Sequence, residues 1–278
     1  SVHSELAGRA VFLTGESHAG HYLPSLAQAL LLRAEKQGPA PKSNEVVNLG
    51  GLAIGNGWFD PRTQYSVADF AHGMGLISSG QVTSLKAREK QCQAKLDQGT
   101  YMSTTCWDLL DDVVKQTGGG LAGKPKVLMY DVRKYAKSTA AFPPGHPAVE
   151  RYLSRPDVRQ GLHVAGFPSG LPFKECTDPP YNALKHQDGK GVTKEVAFLL
   201  DKKVKMLFFN GQYDMICNHV GVEAALDKLA WEGQGNFRLS SVDVWAEKGA
   251  PAGYARSTGP LTLLLVLDSG HMVRRENA

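Results

Sequence analysis

Val11-Phe12-Leu13-Thr14-Gly15-Glu16-Ser17-His18-Ala19-Gly20 is the stretch on which the fold turns. An apolar, β-prone run from Ala10 to Leu13 ends in a turn of small residues with a serine at its tip. Beyond the turn, Leu23, Leu26, Ala27 and Leu30 recur at the spacing of one helix face. Pro24 lacks an N–H, so it is expected to start or kink the longer helical segment rather than to sit inside it. Strand, sharp turn with serine, helix is the pattern of a nucleophile elbow, in which the bend pushes the hydroxyl outward. The helix start then turns backbone N–H groups toward a developing oxyanion. Gly15 and Ala19 are small enough for strand and helix to approach each other, although the strict pattern has Gly where Ala19 stands.

Two distant stretches fit the same plan. Val204, Met206, Leu207, Phe208 and Phe209 form an apolar run that ends in Asn210-Gly211-Gln212-Tyr213-Asp214. Leu261 to Leu267 is another, ending in Asp268-Ser269-Gly270-His271. Open α/β sheets place their sites at the carboxyl ends of strands, and each run delivers a polar residue there. Ser17, Asp214 and His271 also follow one another in the chain order of an α/β-hydrolase. The expected fold is therefore α/β: a mostly parallel sheet with helices on both faces.

Gly15-Glu16-Ser17-His18-Ala19-Gly20 resembles the Gly-Glu-Ser-Tyr-Ala-Gly signature of serine carboxypeptidases. Ile54-Gly55-Asn56-Gly57, Asp60-Pro61, Thr63-Gln64-Tyr65, Tyr130-Asp131-Val132-Arg133-Lys134, Tyr213 to Asn218 and Gly270-His271-Met272-Val273 extend the resemblance over nearly the whole chain, toward the carboxypeptidase Y-like branch. The family's upstream Trp-X-Asn-Gly-Gly-Pro-Gly stretch, which supplies a second oxyanion donor, is not among these residues, and Arg274 stands where the family has proline. Measured against that pattern, the core is expected to be incomplete at both ends.

Composition is compatible with this reading. The chain has 278 residues, 42% hydrophobic and 21% charged, enough for one α/β core with an insertion. The net charge of +4 is spread out, so no nucleic-acid footprint is read from it. No apolar run reaches membrane-spanning length. The chain has no Asn-X-Ser/Thr acceptor, and targeting is not legible from its first residues.

In chain order, residues 1–60 read as hydrolase core with the elbow, 61–145 as a largely helical cap insertion, and 146–278 as core again. Gln37 to Ser43 reads as a loop, and Val46 to Ile54 as the second strand. Helical pieces are expected over Ser84 to Leu96 and Trp107 to Lys115, and a strand over Lys126 to Tyr130. From Ala148 a helical pattern returns through Val149, Tyr152, Leu153, Val158, Leu162 and Val164. Phe167 to Gly191 reads as a loop or flap. Helices follow over Glu195 to Lys202 and Val220 to Trp231, with Val242 to Trp245 and Ala252 to Arg256 as short paired strands.

The triad chemistry makes Ser17 the nucleophile and His271 the base, with Asp214 holding the imidazole. The His18 backbone N–H is one oxyanion donor. The resemblance implies that Glu16, holding a proton, helps bind the free carboxylate of a peptide, which implies exopeptidase action and an acidic preference. It also places Met272 and Cys217 at the substrate pocket. Cys92 and Cys106 are expected to pair within the cap, with Cys176 and Cys217 free; such a bridge implies an oxidising compartment, vacuolar, lysosomal or secreted. No metal site is read from the histidines: His18 and His21 have the spacing but no completing ligands. No cofactor is implied. The expected substrate is a peptide or protein C-terminus, with no nucleic acid and no membrane as partner, and the oligomeric state is open. Three readings stay in play: a serine-type carboxypeptidase, an acyltransferase on the same scaffold, and an inactive truncated member of the family.

Overall fold

The computed structural model describes residues 4–6, 8–36, 47–119, 126–136, 146–164, 166, 172–174 and 177–273. The expected loop from Gln37 to Ser43, and Cys176, lie outside them. The elements in order are β1 (Ala10–Glu16), α1 (Ala19–Lys36), β2 (Asn48–Gly55), α2 (Pro61–Gln64), α3 (Ala68–Gly73), α4 (Ser79–Asp97) and α5 (Thr104–Val114). A π-helical turn (Lys115–Gly119) and the hairpin β3 (Lys126–Leu128) and β4 (Asp131–Ala136) come next. Then follow α6 (His146–Leu153), α7 (Pro156–Gly161), α8 (Asp178–Leu184), α9 (Thr193–Asp201), β5 (Met206–Gly211), α10 (His219–Lys228) and α11 (Gln234–Leu239). The strands β6 (Asp243–Glu247), β7 (Ala250–Thr258) and β8 (Leu261–Val266) complete the described chain.

Six strands form one sheet in the order β1-β2-β5-β8-β7-β6. β1, β2, β5 and β8 run parallel, and β7 and β6 are added antiparallel. The sheet is therefore mostly parallel, as expected, and Ser17, Asp214 and His271 each follow one of its parallel strands. Ile54, Met206, Phe208 and Leu261 from the sheet pack with Ala27 of α1, Val196 and Leu200 of α9, Val222 and Leu226 of α10 and Phe237 of α11. Burial of this kind stabilises by about 25 cal/mol per Å² of apolar surface removed from water. A second apolar cluster gathers Phe70, Leu85, Leu96, Leu109, Val113, Val127 and Val132, which belong to α3, α4, α5 and the β3–β4 hairpin. Cys92 and Cys106 are bonded inside it and tie α4 to α5.

Several expectations are corrected. Pro24 lies inside α1 and is buried. It sits near the helix start, so only the hydrogen bond to the Gly20 carbonyl is lost, and the ring fills the core-facing side. Leu26 is 48% exposed; the buried face is Gly20, His21, Pro24 and Ala27 instead. Gly20 and His21 meet Trp58 in the turn after β2, while Leu23 and Leu31 pack against the core in part. Phe167 to Gly191 is not loop throughout, because α8 lies within it; Asp178-Pro179-Pro180 starts that helix with prolines where a missing N–H costs nothing. The helices after Ala148 form, but Val149, Tyr152, Leu162 and Val164 are exposed rather than buried. Helices α2, α3 and α11 and strand β4 were not anticipated; all are short, below the length at which periodicity speaks.

Candidate active site

The elbow has the strained geometry its sequence implies. Ser17 adopts φ +61°, a left-handed conformation uncommon outside glycine. A Cβ at Gly15 would fall 2.5 Å from Cβ of Ala19, so glycine there is required by the approach of strand and helix. At Gly20 a Cβ would meet the backbone of Trp58 at 2.6 Å. The Ser17 carbonyl accepts from the N–H groups of Gly20 and Trp58, and the Ser17 N–H donates to Gly55. The His18 N–H has no acceptor among the described residues, which leaves it free for an incoming oxygen.

Asp214 is fully buried and closely held. One carboxylate oxygen accepts from the N–H groups of Ile216 (3.0 Å) and Cys217 (3.4 Å). The other lies 2.8 Å from His271 Nδ1 and accepts from Asn56 Nδ2 at 2.6 Å. Asn56, in the turn after β2 with φ +43°, also accepts the Gly211 N–H through its side-chain oxygen at 3.2 Å. One amide thus ties the ends of two strands to the acid. Burial pulls the His271 pKa down, but the Asp214 charge, the hydrogen bond to it and the Glu16 charge together outweigh burial and leave it raised. No hydrogen bond joins Ser17 Oγ to His271 in this structure, a looseness common in unliganded sites.

Glu16 is half-buried beside these groups. Burial raises its pKa, the His271 charge opposes and the Asp214 charge adds to the rise. Cys217 is a free buried thiol, held protonated well above its usual range by burial and then by Asp214 and Glu16. Asp214, Cys217 and His271 bring ligand atoms within 4.8 Å of one another, and the Asp214 carboxylate is hydrogen-bonded to His271 Nδ1. Met272, half-buried, adjoins His271 in sequence.

A cavity of about 300 Å³ opens at Ser17, lined by His18, Trp58, Tyr65, Trp107, Ile216, Cys217 and Asp188 among others. Met272 is not among its lining residues. Trp58 and Tyr65 meet edge to face at 4.7 Å. Asp188, which sequence reasoning did not single out, pairs with His18 Nε2 at 2.7 Å, and its carbonyl accepts from Trp58 Nε1 at 3.0 Å. No strand or motif announces Asp188; only the tertiary fold brings it to the elbow. His18 also stacks on His21 at 4.8 Å, and His21 Nδ1 lies 2.6 Å from the Trp58 carbonyl.

A mostly parallel sheet with a strained serine elbow and a buried Asp–His pair at its strand ends defines a hydrolase of the α/β class. The chain belongs to the serine carboxypeptidase family, whose sequence model matches residues 1–278. It is 39% identical over 267 residues to the pheromone-processing carboxypeptidase KEX1 of Phytophthora infestans, covering 95% of this chain and 44% of that protein. Its identity to the protein of the same name from Podospora anserina is 34% over 279 residues, covering 95% of this chain and 46% of that one. Among solved structures it is similar to KEX1(delta)p, a prohormone-processing carboxypeptidase from Saccharomyces cerevisiae, at 26% identity and a TM-score of 0.81, over 96% of this chain and 59% of that one. The chain thus spans less than half the length of the curated relatives it matches.

Proposed function

We propose that this chain carries the catalytic centre of a serine-type carboxypeptidase that releases C-terminal amino acids from peptides. The observation that carries the reading is the buried Asn56–Asp214–His271 chain at the strand ends beside a strained serine elbow. Ser17 Oγ attacks the carbonyl carbon of the last peptide bond while His271 Nε2 takes its proton. The His18 N–H faces the oxygen that becomes negative, and Asp214 stabilises the imidazolium. Collapse breaks the C–N bond; His271 returns the proton to the leaving amine, and the acyl group stays on Ser17. Water, deprotonated by His271, then cleaves that ester.

Glu16 in protonated form donates to the carboxylate of the departing residue, which restricts cleavage to a free C-terminus. Cys217 and the aromatic walls contact the substrate beside Ser17, whereas the place of Met272 at the leaving-residue pocket rests on the family resemblance alone. Residues 61–145 act as a cap over this end of the sheet, between the two core segments 1–60 and 146–278. The Cys92–Cys106 bridge supports a vacuolar, lysosomal or secreted setting. Among the described residues no helix is long and apolar enough to cross a membrane. The acyltransferase reading is not favoured, since the family model and the relatives are described as carboxypeptidases.

The test is release of the terminal amino acid from N-blocked dipeptides, scanned from acidic to neutral pH. Ser17→Ala is expected to lower kcat by at least about a thousandfold. Equal residual release by both proteins would reject the assignment. Absence of release from folded wild-type protein would favour the inactive reading for the chain in isolation.

A further inference from the structure

The motif Tyr130-Asp131-Val132-Arg133-Lys134 has no part in the chemistry above, yet it touches both loops that carry the acid and the base. The Tyr130 carbonyl accepts the His271 N–H at 2.7 Å. The Met129 carbonyl accepts from Met215 (2.9 Å) and Ile216 (3.1 Å), and the Val132 N–H donates to Tyr213 at 3.0 Å. The β3–β4 turn therefore grips the segment on each side of Asp214 and the first backbone group of His271. A Cβ at Gly270 would fall 2.6 Å from the Tyr130 carbonyl oxygen, so the fit leaves no room to spare.

Arg133 links these segments through its side chain. Nε and Nη2 form a fork on the fully buried carboxylate of Asp131, at 2.9 Å each. Nη1 donates at 2.8 Å to the carbonyl of Asp268, a residue at φ +52° three positions before His271. The guanidinium carbon lies 4.6 Å from the centroid of the Tyr213 ring, next to Asp214. One side chain therefore spans the hairpin, the loop of the acid and the loop of the base. Lys134 holds the second Asp131 oxygen at 2.9 Å, so Asp131 keeps a partner when Arg133 is changed.

We propose that Arg133, anchored on Asp131, is a positioning residue that sets the His271 loop against Asp214. The proposal rests on the carboxypeptidase reading for its kinetic arm only. A bidentate fork that also reaches a carbonyl cannot be reproduced by lysine, whose ammonium is a single point of charge. A small displacement of a base relative to its partners costs up to about a hundredfold in rate.

The experiment compares wild type, Arg133→Gln and Arg133→Lys with a His271→Ala reference, in the full chain. Arg133→Gln is expected to lower kcat by about 10- to 100-fold with KM changed less than about twofold, and Arg133→Lys to recover part of it. Independently of activity, the downfield proton resonance of His271 Nδ1–H, identified by its loss in His271→Ala, is expected to broaden or move upfield in Arg133→Gln. Thermal melts establish that each variant is folded. Unchanged kcat together with an unchanged resonance in folded Arg133→Gln would overturn the proposal, as would a loss of thermal stability with both readouts intact. If wild type shows no Ser17-dependent release, the peptidase reading fails, and the resonance alone decides whether Arg133 positions His271. Replacing Asp131 instead would strip a buried carboxylate site and confound folding with function, which is why Arg133 carries the test.

Discussion

Glu16 and His271 titrate against each other. The proposed mechanism needs His271 without its proton and Glu16 with one, and the charge of each affects the other. A bell of activity against pH is expected, with His271 setting the acid limb and Glu16 contributing to the alkaline one. Glu16→Gln keeps a donor at every pH. It is expected to remove the contribution of Glu16 to the alkaline limb of kcat/KM, to move the acid limb of His271 to lower pH because the Glu16 charge that raises it is gone, and to cost less than about tenfold at the optimum. A profile unchanged in shape would remove Glu16 from carboxylate binding. Glu16 is marked in the chain by the resemblance of Gly15-Glu16-Ser17 to the family signature; a lone glutamate near a helix start reads otherwise as a solvent-facing residue favoured by the dipole. Asp188 was not legible, because its contact with His18 joins residues 170 positions apart, and an aspartate in a Gly- and Asp-rich stretch carries no local mark.

At the level of elements, helices outside the sheet show how a buried acid substitutes for a local cap. Val67 and Ala68 begin α3 with buried N–H donors that no side chain at its own start satisfies. Glu89, on α4, accepts both N–H groups at 2.6 and 2.7 Å. Burial raises its pKa, while the two hydrogen bonds and Lys86 act the other way. Because its folded pKa lies above the unfolded one, its contribution to stability is full at low pH and is lost as pH rises through the folded value. Glu89→Gln retains the acceptor without the charge and is expected to flatten the fall in stability between acidic and neutral pH, measured by denaturant titration. Glu89→Ala orphans two buried donors and is expected to cost about 1–3 kcal/mol at either pH. A Gln variant with the wild-type slope would show that Glu89 does not set it. The strands of the core were readable as apolar runs with polar ends; α3 was not, because its cap comes from a helix 21 residues away in sequence.

Across the whole molecule, two apolar clusters divide the work: one fills the space around the sheet, the other lies among α3–α5 and the hairpin. At the β1 edge the sheet leaves Phe12 64% exposed, with Val11 and Leu26 also open to solvent. An exposed apolar edge strand invites pairing with another chain. This chain in isolation is expected to self-associate with rising concentration, and Phe12→Lys to lower the mass seen by sedimentation without altering the near-UV circular dichroism. Identical masses for both proteins would show that β1 is not the sticking point. The periodicity after the elbow placed Leu26 on the core face, and the fold turned it outward. Residue patterns report which elements form, whereas the pitch of a helix on its sheet is set by the close contact of Gly20 with Trp58.

The Asn56–Asp214 hydrogen bond joins positions 158 residues apart, and the Asp214–His271 bond a further 57. Contacts of such long range are made late in folding, because the entropy of closing the intervening loops must be met first. Ser17 and its strained turn are local, whereas Asp214 and His271 come together only when β2, β5 and β8 lie side by side. During synthesis, then, the chain exposes a serine without a partner to activate it. On the proposed reading, the catalytic centre stays unassembled through synthesis and is completed only when β8 joins the sheet.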